Sequence, residues 1–187
     1  MPFGLGFFAT AGAGGAAGSF DLLETQVLGS AQASITFSSL GTYSADYKHL
    51  QLRIVSRSTW SGAQAGLVMQ LNADTSGNYS YHGLGGNGSS VSSFSGASQS
   101  FMYQGVSAGN GAAANAFAGV VIDLLDVFDT NKFKTVRALF GNSTTEVGLH
   151  SGSWRSTNAL TSILLKTDVT SNLVTGSRFS LYGIKGA

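Results

Sequence analysis

The residues in this chain able to do chemistry are few and scattered. Gly83-Leu84-Gly85-Gly86-Asn87-Gly88 has the G-x-G-x-x-G spacing of a phosphate-cradling turn. Such a turn holds a pyrophosphate only where a strand feeds a helix whose free N–H groups meet the anion. Here Ser89, Ser90 and Val91 follow without a helical period, so the stretch reads as a glycine-rich loop. Asp123, Asp126, Asp129 and Asn131 carry the oxygens that Ca²⁺ prefers. Strand alternation sends Asp123 and Asp126 to opposite faces, however, and Asp129-Thr130-Asn131 is ordinary turn chemistry. Asp74 with Asn78 reads the same way. His49, His82 and His150 lack ligand spacing, and the chain has no Cys for a thiolate site or a disulfide. There is no G-x-S-x-G elbow, and nine acidic residues without a cluster offer no carboxylate pair. The expectation is no catalytic residue, no cofactor and no metal: not an enzyme.

Aromatic residues leave one recognition surface to consider. Trp60, Tyr79, Tyr81, Tyr103 and Trp154 could line a sugar-stacking surface, and Tyr79, Tyr81, His82 and Trp154, with the Tyr79–Gly88 and Gly105–Asn115 loops, form the recognition surface to expect. Packing in a core or subunit interface is the commoner use of the same rings.

The elements that must position these residues are strands. From Leu50, the stretch Tyr47–Ser58 sends Leu50, Leu52 and Ile54 to one side and Gln51, Arg53 and Arg57 to the other. That period of two marks a strand with one face on a core. Similar runs occur at Phe20–Leu28, Ala33–Leu40, Gly66–Leu71, Phe133–Gly141, Glu146–Trp154, Leu160–Lys166 and Ser177–Ile184. Phe117–Leu125, through Val120-Val121-Ile122, is apolar on both faces and reads as a central, buried strand. The Tyr79–Asn115 region is the least regular, with short strands at Val91–Phe94 and Phe101–Val106. Nine or ten strands at this spacing predict an all-β fold: one β-sandwich, jelly-roll-like, over residues 19–187.

Charge and composition narrow the partners. The net charge is +1, and Lys and Arg form no run or stripe, which argues against nucleic acid. No apolar stretch reaches the length of a membrane-spanning helix, so no membrane is expected. Charged residues make up 10% of the chain, against roughly 25% in an ordinary soluble domain. Either Ser, Thr and Asn coat the surface, or neighbouring subunits cover it; depletion of charge at interface cores favours the second.

Residues 1–18 differ from the rest: an apolar cluster of Phe3, Leu5, Phe7 and Phe8, then a Gly/Ala tract. No basic residue precedes Phe7, as a secretory signal would require. The segment reads as an extended Gly/Phe-rich N-terminal arm whose aromatics lie on another subunit.

Several segments in order resemble a group of β-sandwich structural proteins of tailed bacteriophages. They are Leu23–Ser30, Ala33–Phe37, Tyr47–Arg53, Leu71–Asp74 with Asn78–His82, and Ser177–Ile184. The resemblance covers residues 20–187 and rests on strand and turn patterns, so it brings no catalytic residues. It implies a virion protein, of the head decoration (cement) type or part of a tail fibre. The decoration reading expects a homo-oligomer, a trimer, on the outer surface of the phage head. There it would bind the major capsid protein lattice and stabilise the head. The alternative is a receptor-binding fibre module that recognises host glycans through the Tyr79, Tyr81, His82 and Trp154 surface.

Overall fold

The computed structural model describes residues 18–186. In chain order the strands are β1 (Phe20–Val27), β2 (Ser34–Phe37), β3 (His49–Ser56), β4 (Gln64–Leu71), β5 (Tyr79–Gly86) and β6 (Val91–Gln99). There follow β7 (Met102–Ala108), β8 (Ala118–Leu125), β9 (Lys134–Asn142), β10 (Glu146–Trp154), β11 (Ile163–Thr167) and β12 (Arg178–Ile184). A single 3-10 turn at Leu40–Tyr43 joins β2 to β3. Two antiparallel sheets result, ordered β1-β12-β3-β8-β9-β10-β5-β6 and β2-β11-β4-β7.

Eight of these strands pair in nested order: β1 with β12, β2 with β11, β3 with β8, and β4 with β7. This is the wrapping of a jelly roll, in which one long antiparallel hairpin folds across itself into two sheets. The fold class expected from alternation is therefore the observed one. Two hairpins interrupt the roll. β5–β6 is inserted between β4 and β7, and β9–β10 between β8 and β11. Both add to the same sheet, so it grows to eight strands while its partner stays at four. Half of the larger sheet, and with it half of its outer face, is an addition to the minimal sandwich.

The core lies between the sheets. Leu50, Leu52 and Ile54 of β3 face Leu67, Met69 and Leu71 of β4, with Ile35, Phe37, Ile163, Leu165, Phe179 and Leu181 filling the layer; all are at most 2% exposed. Each such side chain contributes about 1.5–3 kcal/mol through the area removed from water. Two readings change. β8 lies centrally, but only Ala118, Val120, Ile122 and Leu124 are buried, and Val121 is 37% exposed on the outer face. Tyr79–Gly88 is not a loop: Tyr79–Gly86 is β5, paired on both sides with β10 and β6. Its glycines hid the strand, and at Gly83 the reason is steric. A Cβ at Gly83 would lie 2.4 Å from the Phe94 ring and 2.9 Å from His150.

Candidate functional site

The outer face of the eight-stranded sheet carries a set of exposed aliphatic side chains. Strand register sets it. Val121 lies opposite Leu139, Leu139 opposite Leu149, and Leu149 opposite Leu84, so β8, β9, β10 and β5 carry one straight row of aliphatic side chains. These residues are 37%, 53%, 55% and 51% exposed. Beside them runs a second row, Val55–Gly119–Gly141–Val147–Gly86. Among the described residues, a Cβ added at Gly119 would find nothing within 4 Å, and one at Gly141 only the Glu146 carbonyl at that limit. The glycines therefore open a trough between the two valines.

A polar row borders the other side: Gln51, Asp123, Arg137, Ser151 and His82, again strand to strand in register. Gln51 Nε2 donates to Asp123 Oδ1 at 2.8 Å, and the Arg137 guanidinium lies 3.5 Å from Asp123 Oδ2. Arg53 Nε donates in turn to Gln51 Oε1 at 3.0 Å. Its guanidinium sits 5.0 Å from the centroids of both the Phe20 and Tyr182 rings, which stack at 4.9 Å. Two adjacent concavities of about 640 and 660 Å³ share Val121 and Leu139. The charges at the rim are thus already engaged with neighbours. What the face offers a partner is apolar area in a fixed geometry, the kind of surface that associates through burial rather than polar recognition.

The residues singled out by sequence fall elsewhere. Phe3, Leu5, Phe7 and Phe8 lie outside the described residues. Tyr79 and Trp154 are buried, 0% and 1% exposed, with rings stacked at 6.5 Å. Trp154 Nε1 donates to Asp74 Oδ2 at 2.7 Å, while Tyr79 Oη accepts from Leu71 N–H at 2.9 Å and donates to the Asp74 carbonyl at 3.1 Å. Desolvation pushes the Tyr79 hydroxyl up to about 12. Burial also pushes the Asp74 carboxyl up, but the bonds donated by Trp154, Asn78 and Ser76 outweigh it and hold the group down at about 2. Asp74 is a structural hub that ties the β4–β5 turn to β10. Tyr81 is 8% exposed, edge-on to Phe94 and Tyr103. Of the expected recognition set only His82 is exposed, and it sits on the polar row of the sheet rather than on a loop. The other three rings are core packing, the commoner use weighed above.

Gly83–Gly88 runs from β5 into the turn before β6, with no helix for an anion to meet. Gly88, at φ +87°, serves that turn. Asp123 is on the sheet face, away from Asp126 and Asp129. Between the last two stands the Lys132 ammonium, 2.6 Å from Asp126 Oδ2 and 3.4 Å from Asp129 Oδ2. The Asn131 N–H bonds Asp129 Oδ1 at 2.7 Å, the turn chemistry expected. His49 Nδ1 accepts the Asp126 N–H at 2.9 Å.

Sequence reasoning missed the aliphatic row, although β9 held its signal. Val136, Ala138 and Phe140 fill one face while Leu139 stands on the other. The core takes up one face of β9, so a leucine on its other face, among Thr135 and Arg137, is left exposed. Fold and face together define the molecule as a jelly-roll β-sandwich with one enlarged, apolar-faced sheet. No family model, curated protein or solved structure matches the chain.

Proposed function

We propose that this chain is a non-enzymatic structural protein of a phage virion, a decoration protein of the head whose enlarged sheet lies against the major capsid protein lattice. The observation that carries the reading is the exposed row Val121–Leu139–Leu149–Leu84, four aliphatic side chains in direct register on a rigid sheet. Covering four half-exposed side chains is worth about 1 kcal/mol each, or about 4 kcal/mol per copy. Repetition of the contact over a symmetric lattice raises the avidity of an oligomer far above that of one site. The low charge content and the resemblance of residues 20–187 to tailed-phage sandwich proteins support the same reading. The apolar arm at Phe3, Leu5, Phe7 and Phe8 provides a second contact, to a neighbouring capsid or decoration subunit.

The test is co-sedimentation of purified protein with phage heads stripped of their outer proteins. Saturable binding at a lattice stoichiometry is expected. Leu139→Glu places charge in the aliphatic row and Gly141→Arg in the trough beside it, both on the outer face of the sheet, where stability should stay within about 0.5 kcal/mol of wild type; each is expected to abolish binding. Deleting residues 1–18 is expected to weaken it. Absence of binding, or binding indifferent to both face variants, overturns the proposal.

A further inference from the structure

Among the described residues, four strands close the edges of the two sheets: β1 and β6 on the larger, β2 and β7 on the smaller. Open edges invite further strands, and three of these four are blunted. β1 carries Asp21 and Glu24 and is bulged between Leu22 and Glu24. β2 has only four residues, and the Thr36 carbonyl accepts a bond from Gln26 Nε2 at 3.0 Å. β7 is bulged at Gln104, opposite the Leu67–Val68 step, and Gly105 follows at φ +136°.

β6 has no such device over its first six residues. Its pairing with β5 runs unbroken from Gly86↔Val91 to Tyr81↔Gly96. No Asp, Glu, Lys or Arg occurs between His82 and Asp123, so the strand has no charge to repel a second one. Val91 is 76% and Phe94 43% exposed, on opposite faces of the strand.

The free groups on this edge can be assigned. The turn bond from the Asn87 N–H to the Ser90 carbonyl sets the phase of the β5–β6 ladder. Bonded and non-bonded pairs alternate along an antiparallel ladder. Ser92, Phe94 and Gly96 therefore bond β5, and Val91, Ser93 and Ser95 direct their N–H and C=O groups outward. This edge complements itself. In a second copy laid antiparallel with its two-fold axis at Phe94, Ser93 of each chain faces Ser95 of the other, and these residues exchange both bonds. Phe94 then meets its own symmetry mate as a non-bonded pair, with Cα atoms about 4.5 Å apart. Its ring is already held edge-on to Tyr81, Tyr103 and His150 at 6.1, 5.9 and 5.1 Å. The meeting therefore adds a ring contact with little new ordering.

We propose that β6 is a homodimerisation edge: two copies join through antiparallel β6–β6 pairing about Phe94 into one sixteen-stranded sheet. The partner is a second copy of this chain, because the edge is uncharged and self-complementary about a two-fold axis. This pairing calls for a two-fold where the sequence reading expects a three-fold. The inference does not depend on the capsid reading.

The experiment is the solution mass by light scattering, together with a cysteine cross-link in a chain that has none. Wild type is expected at twice the 19.2 kDa chain mass. Ser95→Pro removes one outward N–H, a change tolerated on an edge strand, and should return the protein to monomer mass with its urea midpoint kept. Phe94→Cys places two thiols within disulfide range across the axis. It should oxidise to a covalent dimer at least tenfold faster than Ser92→Cys, whose symmetry mate lies four residues away along the strand. A monomeric or trimeric wild type, a dimer that survives Ser95→Pro, or equal cross-linking of the two cysteine variants overturns the proposal.

Discussion

His150 should control the acid stability of the fold. Its ring is 6% exposed, edge-on to Phe94 and tilted against Phe140 at 4.6 Å, and Nδ1 has no hydrogen-bond partner among the described residues. Burial holds its pKa down at about 4, from 6.5, against a smaller opposing contribution from the Tyr103 backbone. The unfolded chain binds a proton near pH 6.5, the native chain only near 4. The stability tied to the neutral ring is thus complete above about pH 6.5, is lost as pH falls from 6.5 to 4, and changes no further below that. A gap of about 2.5 units at 1.36 kcal/mol each amounts to about 3 kcal/mol, a large part of the 5–15 kcal/mol typical of a domain. His150→Leu removes the titration and keeps apolar contacts with both Phe rings. Urea unfolding of the two proteins at pH 7.5 and pH 4 isolates the effect, since every shared carboxylate cancels in the comparison. Wild type is expected to lose about 3 kcal/mol more than the variant, or roughly 6–12 °C more in Tm. Equal losses would refute the reasoning, because they require a ring that protonates without leaving its site.

Asp74 acts in a lower window: with its carboxyl held at about 2, stability is present above about pH 4 and is lost as pH falls from 4 towards 2. Because the group is partly exposed, the effect is discounted to about 1 kcal/mol, and Asp74→Asn should flatten it in urea melts at pH 4.5 and 2.5. Gly83→Ala drives a methyl into Phe94 and His150 and should cost about 1–3 kcal/mol by thermal unfolding; Gly119→Ala, with open space around it, should cost nothing measurable. Lys134 is fully buried, and its ammonium donates to the carbonyls of Asp129, Lys132 and Thr157. Lys134→Met strips these carbonyls of their shared donor and is expected to lower stability by about 1–3 kcal/mol in urea; an unchanged midpoint would show that the cage contributes nothing.

Local pattern carried most of the fold. Leu50, Leu52 and Ile54, or Leu67, Met69 and Leu71, alternate cleanly because one side of each strand meets a core and the other meets water, and that difference is written into residue type. The same logic failed at β5, where Gly83, Gly85 and Gly86 carry no side chain to show a period. At Gly83 and Gly85 the missing side chain answers to neighbours outside the local sequence: Phe94 and His150 over Gly83, Glu146 beside Gly85. Aromatic roles were illegible for a related reason. Nothing local distinguishes a Tyr79 or Trp154 that stacks on a ligand from one that packs in a core. The acceptor that decides the matter, Asp74, lies 80 residues from Trp154.

Residue order alone was enough for an all-β sandwich, for the turn chemistry of Asp129–Asn131, and for the inward faces of β3, β4 and β12. Tertiary structure decided the rest, because sheet neighbours are set by chain crossing rather than by adjacency. Only when β9–β10 and β5–β6 both join the β8 side do Val121, Leu139, Leu149 and Leu84 fall into one row. Only then does β6 become the uncharged edge. Those four residues are spread over 66 positions of sequence, from Leu84 to Leu149. Strand register places each within a side chain's reach of the next, and no periodicity along the chain records that.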